Sequence, residues 1–81
     1  MVTEAQRKAL IEVARLSSST AHRVAIEGVL EKADVRLPTL EGLIRHGLIH
    51  VAGSRLVTSY FGYRVTAVGW DFIEQEILKG V

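Results

Sequence analysis

The chain has 81 residues, 48% of them hydrophobic, ten Lys or Arg against nine Asp or Glu, and no cysteine. That length suits one small domain with a single core over residues 1–81. The apolar content excludes a disordered chain, and no apolar run approaches the ~20 residues that cross a bilayer. Without cysteine there is no disulfide framework, thiolate metal site or cysteine nucleophile, and a reducing cytoplasm is the expected compartment.

The first eight residues include acidic and polar ones where a secretory leader needs an apolar stretch. Thr3-Glu4-Ala5-Gln6 is a capping box, with Thr3 as N-cap and Gln6 reaching back. A helical stripe of Leu10, Val13 and Ala14, with Ile11 and Leu16 beside it, predicts a first helix from about residue 4 to residue 16. Glu4 and Lys8 are spaced for an ion pair along it. Ser17-Ser18-Ser19-Thr20 breaks the helix, because hydroxyl side chains compete for backbone hydrogen bonds.

Ser19 or Thr20 then caps a second helix, from about residue 21 to residue 33, that buries Val24, Ala25, Ile26, Val29 and Leu30. Gly28 within it costs roughly 1 kcal/mol against alanine and suggests a close helix crossing. Asp34 to Leu37 form the turn. Pro38 biases Leu37 away from the α region and sits in the first turn of a third helix. Leu40, Leu43 and Ile44 are its inner face, Thr39, Glu41, Gly42, Arg45 and His46 its outer one, and Gly47 supplies a left-handed C′ position.

Leu48 to Ala52 reads as a strand, Gly53-Ser54 as a turn, and Arg55 to Phe61 as strand-like, with β-branched and aromatic residues mixed. Gly62 permits a bulge or second turn before Tyr63-Arg64-Val65. The neighbouring aromatics Tyr60 and Phe61, adjacent in a strand, point to opposite faces, so one is a candidate for exposure at a protein contact, with closure over the core as the alternative. Thr66 caps a last helix to about Lys79, burying Trp70, Ile73 and Ile77, with Phe72 and Leu78 on a neighbouring face.

Net charge is only +1, yet its distribution is uneven. From Gly42 to Trp70 there is no Asp or Glu, while Arg45, His46, His50, Arg55 and Arg64 fall inside. A second acid-free stretch, Val13 to Ile26, holds Arg15, His22 and Arg23. Screening confines each charge to about 8–10 Å, so local sign outweighs the sum and favours an anionic partner.

Leu40-x-x-Leu43-x-x-x-Gly47-Leu48-Ile49 and Val65-Thr66-x-x-Gly69, set in the order helix, helix, helix, ribbon, helix, resemble the winged helix-turn-helix regulators of the MarR, PadR and ArsR types. The chain looks most like the small single-domain winged-helix proteins of actinobacteria and their phages. The resemblance implies a mainly α fold with a two- to three-stranded wing, and a DNA-binding transcriptional regulator working without cofactor. It also implies a homodimer through the first and last helices, where Ile11, Leu16, Phe72 and Leu78 exceed what one apolar stripe needs. On that fold Thr39, Arg45 and His46 would reach base edges, arginine being able to contact guanine bidentately. Ser19, Thr20 and Arg23 at the second helix, with Ser54, Arg55 and Arg64 on the wing, would hold phosphates. The third helix is about two and a half turns long, shorter than in the family. Glu41, four residues before Arg45, is placed to pair with it and mute it as a base reader.

Each of these residues has a plainer role available. Arg45 and His46 complement the negative end of their helix, Arg55 and Arg64 protect a strand edge, and Ser19 and Thr20 serve as caps. His46 and His50 invite a metal reading, but Gly47 breaks the helix between them and no further ligand completes a shell. No nucleophile, base and orienting acid form a catalytic set, so an enzyme is not expected. The alternative to DNA binding is a protein-interaction module that uses the wing or the terminal helices.

Overall fold

A computed structural model describes residues 2–18, 24–53 and 61–77. Along these the elements are α1 (Glu4–Ser18), β1 (Ala25–Ile26), α2 (Glu27–Lys32), α3 (Leu37–Arg45), β2 (Ile49–Ala52), β3 (Gly62–Val65) and α4 (Ala67–Phe72). α4 continues as a π-helical turn, Ile73–Ile77. The three strands form an antiparallel sheet in the order β1-β3-β2. β3 is therefore central, pairing Tyr63 and Gly62 with Ala25 and Ile26 on one side, and Val65 to Gly62 with Ile49 to Ala52 on the other.

α1 opens on the expected capping box. The Thr3 amide donates to Gln6 Oε1 at 2.9 Å, and the Gln6 amide donates to Thr3 Oγ1 at 3.1 Å. The helix closes two residues later than expected, where the Ser17 and Ser18 hydroxyls both donate to the Ala14 carbonyl at 3.1 and 2.8 Å. Its inner stripe, Leu10 and Val13, packs on Leu30 of α2, Leu40 and Leu43 of α3, and the sheet face of Ile49, Tyr63 and Val65. Each such side chain withdrawn from water contributes about 1.5–3 kcal/mol.

The second helix departs most from expectation. It begins at Glu27, with Ile26 as an extended N-cap and no side-chain cap, and spans six residues. Ala25 and Ile26 pair instead with β3, and the Glu27 amide extends that contact to the Phe61 carbonyl at 3.0 Å. A helical reading of Val-Ala-Ile overlooked that β-branched residues suit a strand when one is there to pair with. The shift leaves Leu30 as the one buried residue of α2 and Val29 exposed. α2 ends in a Schellman motif: Asp34 lies at φ 64°, its amide donates to the Glu31 carbonyl at 3.1 Å, and the Val35 amide donates to the Leu30 carbonyl at 2.9 Å.

α3 starts one residue earlier than expected, with Leu37 already helical and Arg36 as N-cap. The Leu40 amide reaches back to the Arg36 carbonyl at 3.2 Å, which closes that first turn around Pro38. Leu40 and Leu43 are buried but Ile44 is exposed. Gly42, expected outside, faces α1: a Cβ there would strike the Gln6 side-chain amide that closes the capping box.

Gly62 makes neither bulge nor turn. It is a paired strand residue, and a Cβ there would be driven into the Ala25 backbone carbonyl, so glycine is what lets β1 lie against β3. Phe61 and Tyr63 both point into the core, in an edge-on contact with ring centroids 6.0 Å apart. The expected strand over Arg55 to Tyr60 and the end of the last helix beyond Ile77 lie outside the described residues.

Trp70, expected in the core, is 42% exposed. Gly69 and Ile73 occupy the buried face of the last helix, one turn apart, and Trp70 lies about 100° round from Gly69. The Arg7 guanidinium donates to the Glu76 carbonyl at 2.8 Å, tying the widened π turn to the start of α1. No described helix is long and apolar enough to cross a membrane.

Candidate nucleic-acid interface

Gly47 sits at φ 74°, its amide donates to the Ile44 carbonyl at 2.9 Å, and the Leu48 amide donates to the Leu43 carbonyl at 3.0 Å. This second Schellman motif ends α3 with Arg45 in its last turn and His46 as C-cap, both exposed. What holds that end in place comes from 19 residues downstream of Gly47. The Thr66 hydroxyl donates to the Gly47 carbonyl at 2.6 Å and accepts from the Gly69 amide at 2.9 Å. The Thr66 amide donates to the Leu48 carbonyl at 3.0 Å. Gly69 presses on that same Leu48 carbonyl so closely that a Cβ would collide with it. Gly47-Leu48 and Thr66-x-x-Gly69, remote in sequence, are thus two halves of one joint. The joint fixes Arg45 and His46 relative to the sheet.

From the joint β2 carries the chain to His50, whose direct cross-strand partner on β3 is Arg64. Both are exposed, while the preceding pair, Ile49 and Val65, is buried. Opposed strand residues share a face with Cβ atoms about 4.5–5.5 Å apart, so imidazole and guanidinium emerge side by side. Arg64 also lines a pocket of about 100 Å³ with Ser17 and Ser18, at the end of α1, and with Trp70. A cation there complements the carbonyl end of the α1 dipole. His50 was not among the residues expected to contact DNA. Its signal was the alternation of Ile49 and His50, which only strand register turns into a neighbour of Arg64.

The expected base-contacting set does not stay together. Thr39 is half-buried and lines a depression beside α1 with Lys8, Glu12 and Arg36. Six residues separate it from Arg45, which turns the two about 120° apart on the helix. Arg45 and His46 are accessible. Glu41 makes no ion pair with Arg45; among the described residues the ion pairs join Arg15 to Glu12 at 2.7 Å and Arg36 to Asp34 at 4.0 Å. Hydrogen bonding from Arg15 holds the Glu12 carboxyl below its ordinary range and in turn raises the Arg15 guanidinium.

Of the expected phosphate contacts, Ser19, Thr20, Arg23, Ser54 and Arg55 lie outside the described residues. The helix whose N-terminus was to present the first three begins at Glu27, and that first turn carries a carboxylate in place of an anion site. Among the described residues no three His, Asp or Glu side chains come together to hold a metal ion. Compared with protein-family models, curated proteins and solved structures, the chain matches none.

Proposed function

We propose that the chain is a winged helix-turn-helix DNA-binding protein, a small transcriptional regulator of bacterial or phage type that acts by occupancy without cofactor. Three helices, a sheet ordered β1-β3-β2 and a closing helix support it, with α3 as the groove-entering element and β2–β3 as the wing. The carrying observation is the succession Arg45, His46, His50 and Arg64. These basic side chains are exposed on consecutive elements, within a stretch that holds no carboxylate from Gly42 to Trp70. Arg45 and His46 then offer base contacts from the end of α3. His50 and Arg64, with Ser54 and Arg55 on the connection between β2 and β3, and with Ser19, Thr20 and Arg23, hold phosphates. Thr39, turned towards α1, drops out of the base-contacting set.

Fluorescence anisotropy with mixed-sequence duplexes tests this. Affinity falls linearly in log–log form with salt, with a slope of about −0.9 for each phosphate neutralised. Arg64→Ala flattens that slope by roughly one and weakens all duplexes alike, whereas Arg45→Ala also narrows the gap between preferred and other sequences. A chain that binds no duplex at low ionic strength ends the proposal.

A second reading, a protein-interaction module, is favoured by Val68 and Trp70, which leave α4 59% and 42% exposed. Two residues apart on a helix, they stand on opposite flanks of its buried face, and each offers a separate apolar contact. Ile11 on α1 is exposed as well, and a homodimer over α1 and α4 would cover it together with Trp70. Silent DNA assays together with a stoichiometric protein complex would decide for this alternative.

A further inference from the structure

Between α2 and α3 lies a groove of about 410 Å³ that shares no lining residue with the set Arg45, His46, His50 and Arg64. Its apolar floor is Val35, Leu37 and Leu40, and its walls carry Glu27, Glu31 and Asp34. Leu37 is 52% exposed, although as the first residue of α3 it could have been polar at no cost to the helix. One of these carboxylates is set in place by a bond from the core. The Tyr63 hydroxyl, reaching from the core, donates to Glu27 Oε2 at 3.0 Å. Asp34 is held by its left-handed backbone in the turn. Glu31 stands on the exposed side of α2. Among the described residues Arg36 is the one cation lining the groove, 4.0 Å from Asp34, so three carboxylates and one guanidinium border its aliphatic floor.

We infer that the α2–α3 groove docks a segment of a protein partner, one that presents an aliphatic or aromatic side chain flanked by Lys or Arg. The apolar side chain covers Leu37 and Leu40, and the flanking cations meet Glu31 and Asp34. The volume lies at the low end of the ~300–1,000 Å³ typical of ligand pockets, room for one or two side chains of a segment laid across it. Charge complementarity selects the occupant: phosphate and acidic peptides are repelled by the same carboxylates, so the groove is no extension of a nucleic-acid surface. It stands on residues other than Arg45, His46, His50 and Arg64 and does not rest on DNA binding.

The test titrates the ¹⁵N-labelled full chain with three blocked synthetic peptides, a Leu-Lys repeat, a Leu-Glu repeat and a Ser-Lys repeat, and follows amide shifts. The Leu-Lys peptide alone produces saturable shifts, centred on Glu31, Val35, Leu37 and Leu40. Glu31→Lys and Leu37→Ser, both at exposed positions and both checked for an unchanged melting temperature, each weaken it about tenfold, as truncation of an interface anchor does. Equal binding of the Ser-Lys peptide, shifts centred elsewhere, or no binding overturns the inference. So do groove shifts that appear on concentrating the chain without peptide, which would assign the groove to a second copy. The double variant Arg45→Ala/His50→Ala separates the two surfaces: it loses duplex binding and keeps the Leu-Lys peptide.

Discussion

At the scale of single residues, two Schellman motifs close α2 and α3, but one has Asp34 and the other Gly47 in the left-handed position. An L side chain pays roughly 1–2 kcal/mol there, relieved in part for Asp by local hydrogen bonding. Asp34→Gly is therefore expected to stabilise the chain by about 1 kcal/mol in chemical denaturation, a gain that measured destabilisation would contradict. The Glu12–Arg15 pair makes a second prediction, on pH. A carboxylate whose folded pKa is depressed contributes stability that is present above its unfolded value and fades as pH falls through the folded one. Arg15 is largely solvated and Glu12 partly so, which keeps the contribution small and salt-sensitive. In Arg15→Ala the Glu12 carboxyl, followed by NMR, should titrate at higher pH than in the parent chain. An unmoved midpoint would show that the pair does not persist in solution.

At the scale of elements, helix ends were legible where one side chain settles them locally. Thr3 with Gln6, Gly47 and Thr66 act as expected, because a cap needs only its own turn of backbone. The start of α2 was not legible, because Val24 to Ile26 fit a helix or a strand equally until β3 lies alongside. Gly62 was misread for the same reason: its need for glycine is set by the Ala25 carbonyl, not by its own backbone. Thr66 joins both kinds of information, since its cap was readable and its bond to Gly47 was not. Thr66→Ala should cost about 1–2 kcal/mol, at the upper end for a lost cap, in thermal or denaturant melts. Hydrogen exchange should also quicken at Leu48 as well as Gly69. Faster exchange at Gly69 alone would mean that the hydroxyl caps α4 without securing the end of α3.

For the whole molecule, the outward placement of Trp70 gives a direct probe, since it is the only tryptophan. Its emission should be that of a half-solvated indole in dilute solution, and a homodimer over α4 would shift it to the blue in step with mass from sedimentation. A blue-shifted emission that ignores concentration would put the indole back in the core. The pairing of His50 with Arg64, too, exists only at this scale. Arg45 and His46 could be nominated from an acid-free stretch, but His50 joined Arg64 through strand register, and Thr39 left the set through the helical angle that separates it from Arg45.

Periodicity and capping chemistry are written in neighbouring residues, and they were enough to place α1, α3, the strand after Gly47 and the cap at Thr66. Which way Trp70 faces, why Gly62 and Gly69 must lack a side chain, and how three carboxylates come to ring Leu37 depend on atoms far along the chain. Those distances are set by packing around Leu10, Leu43 and Tyr63, and packing is a property of the folded whole rather than of any window of residues.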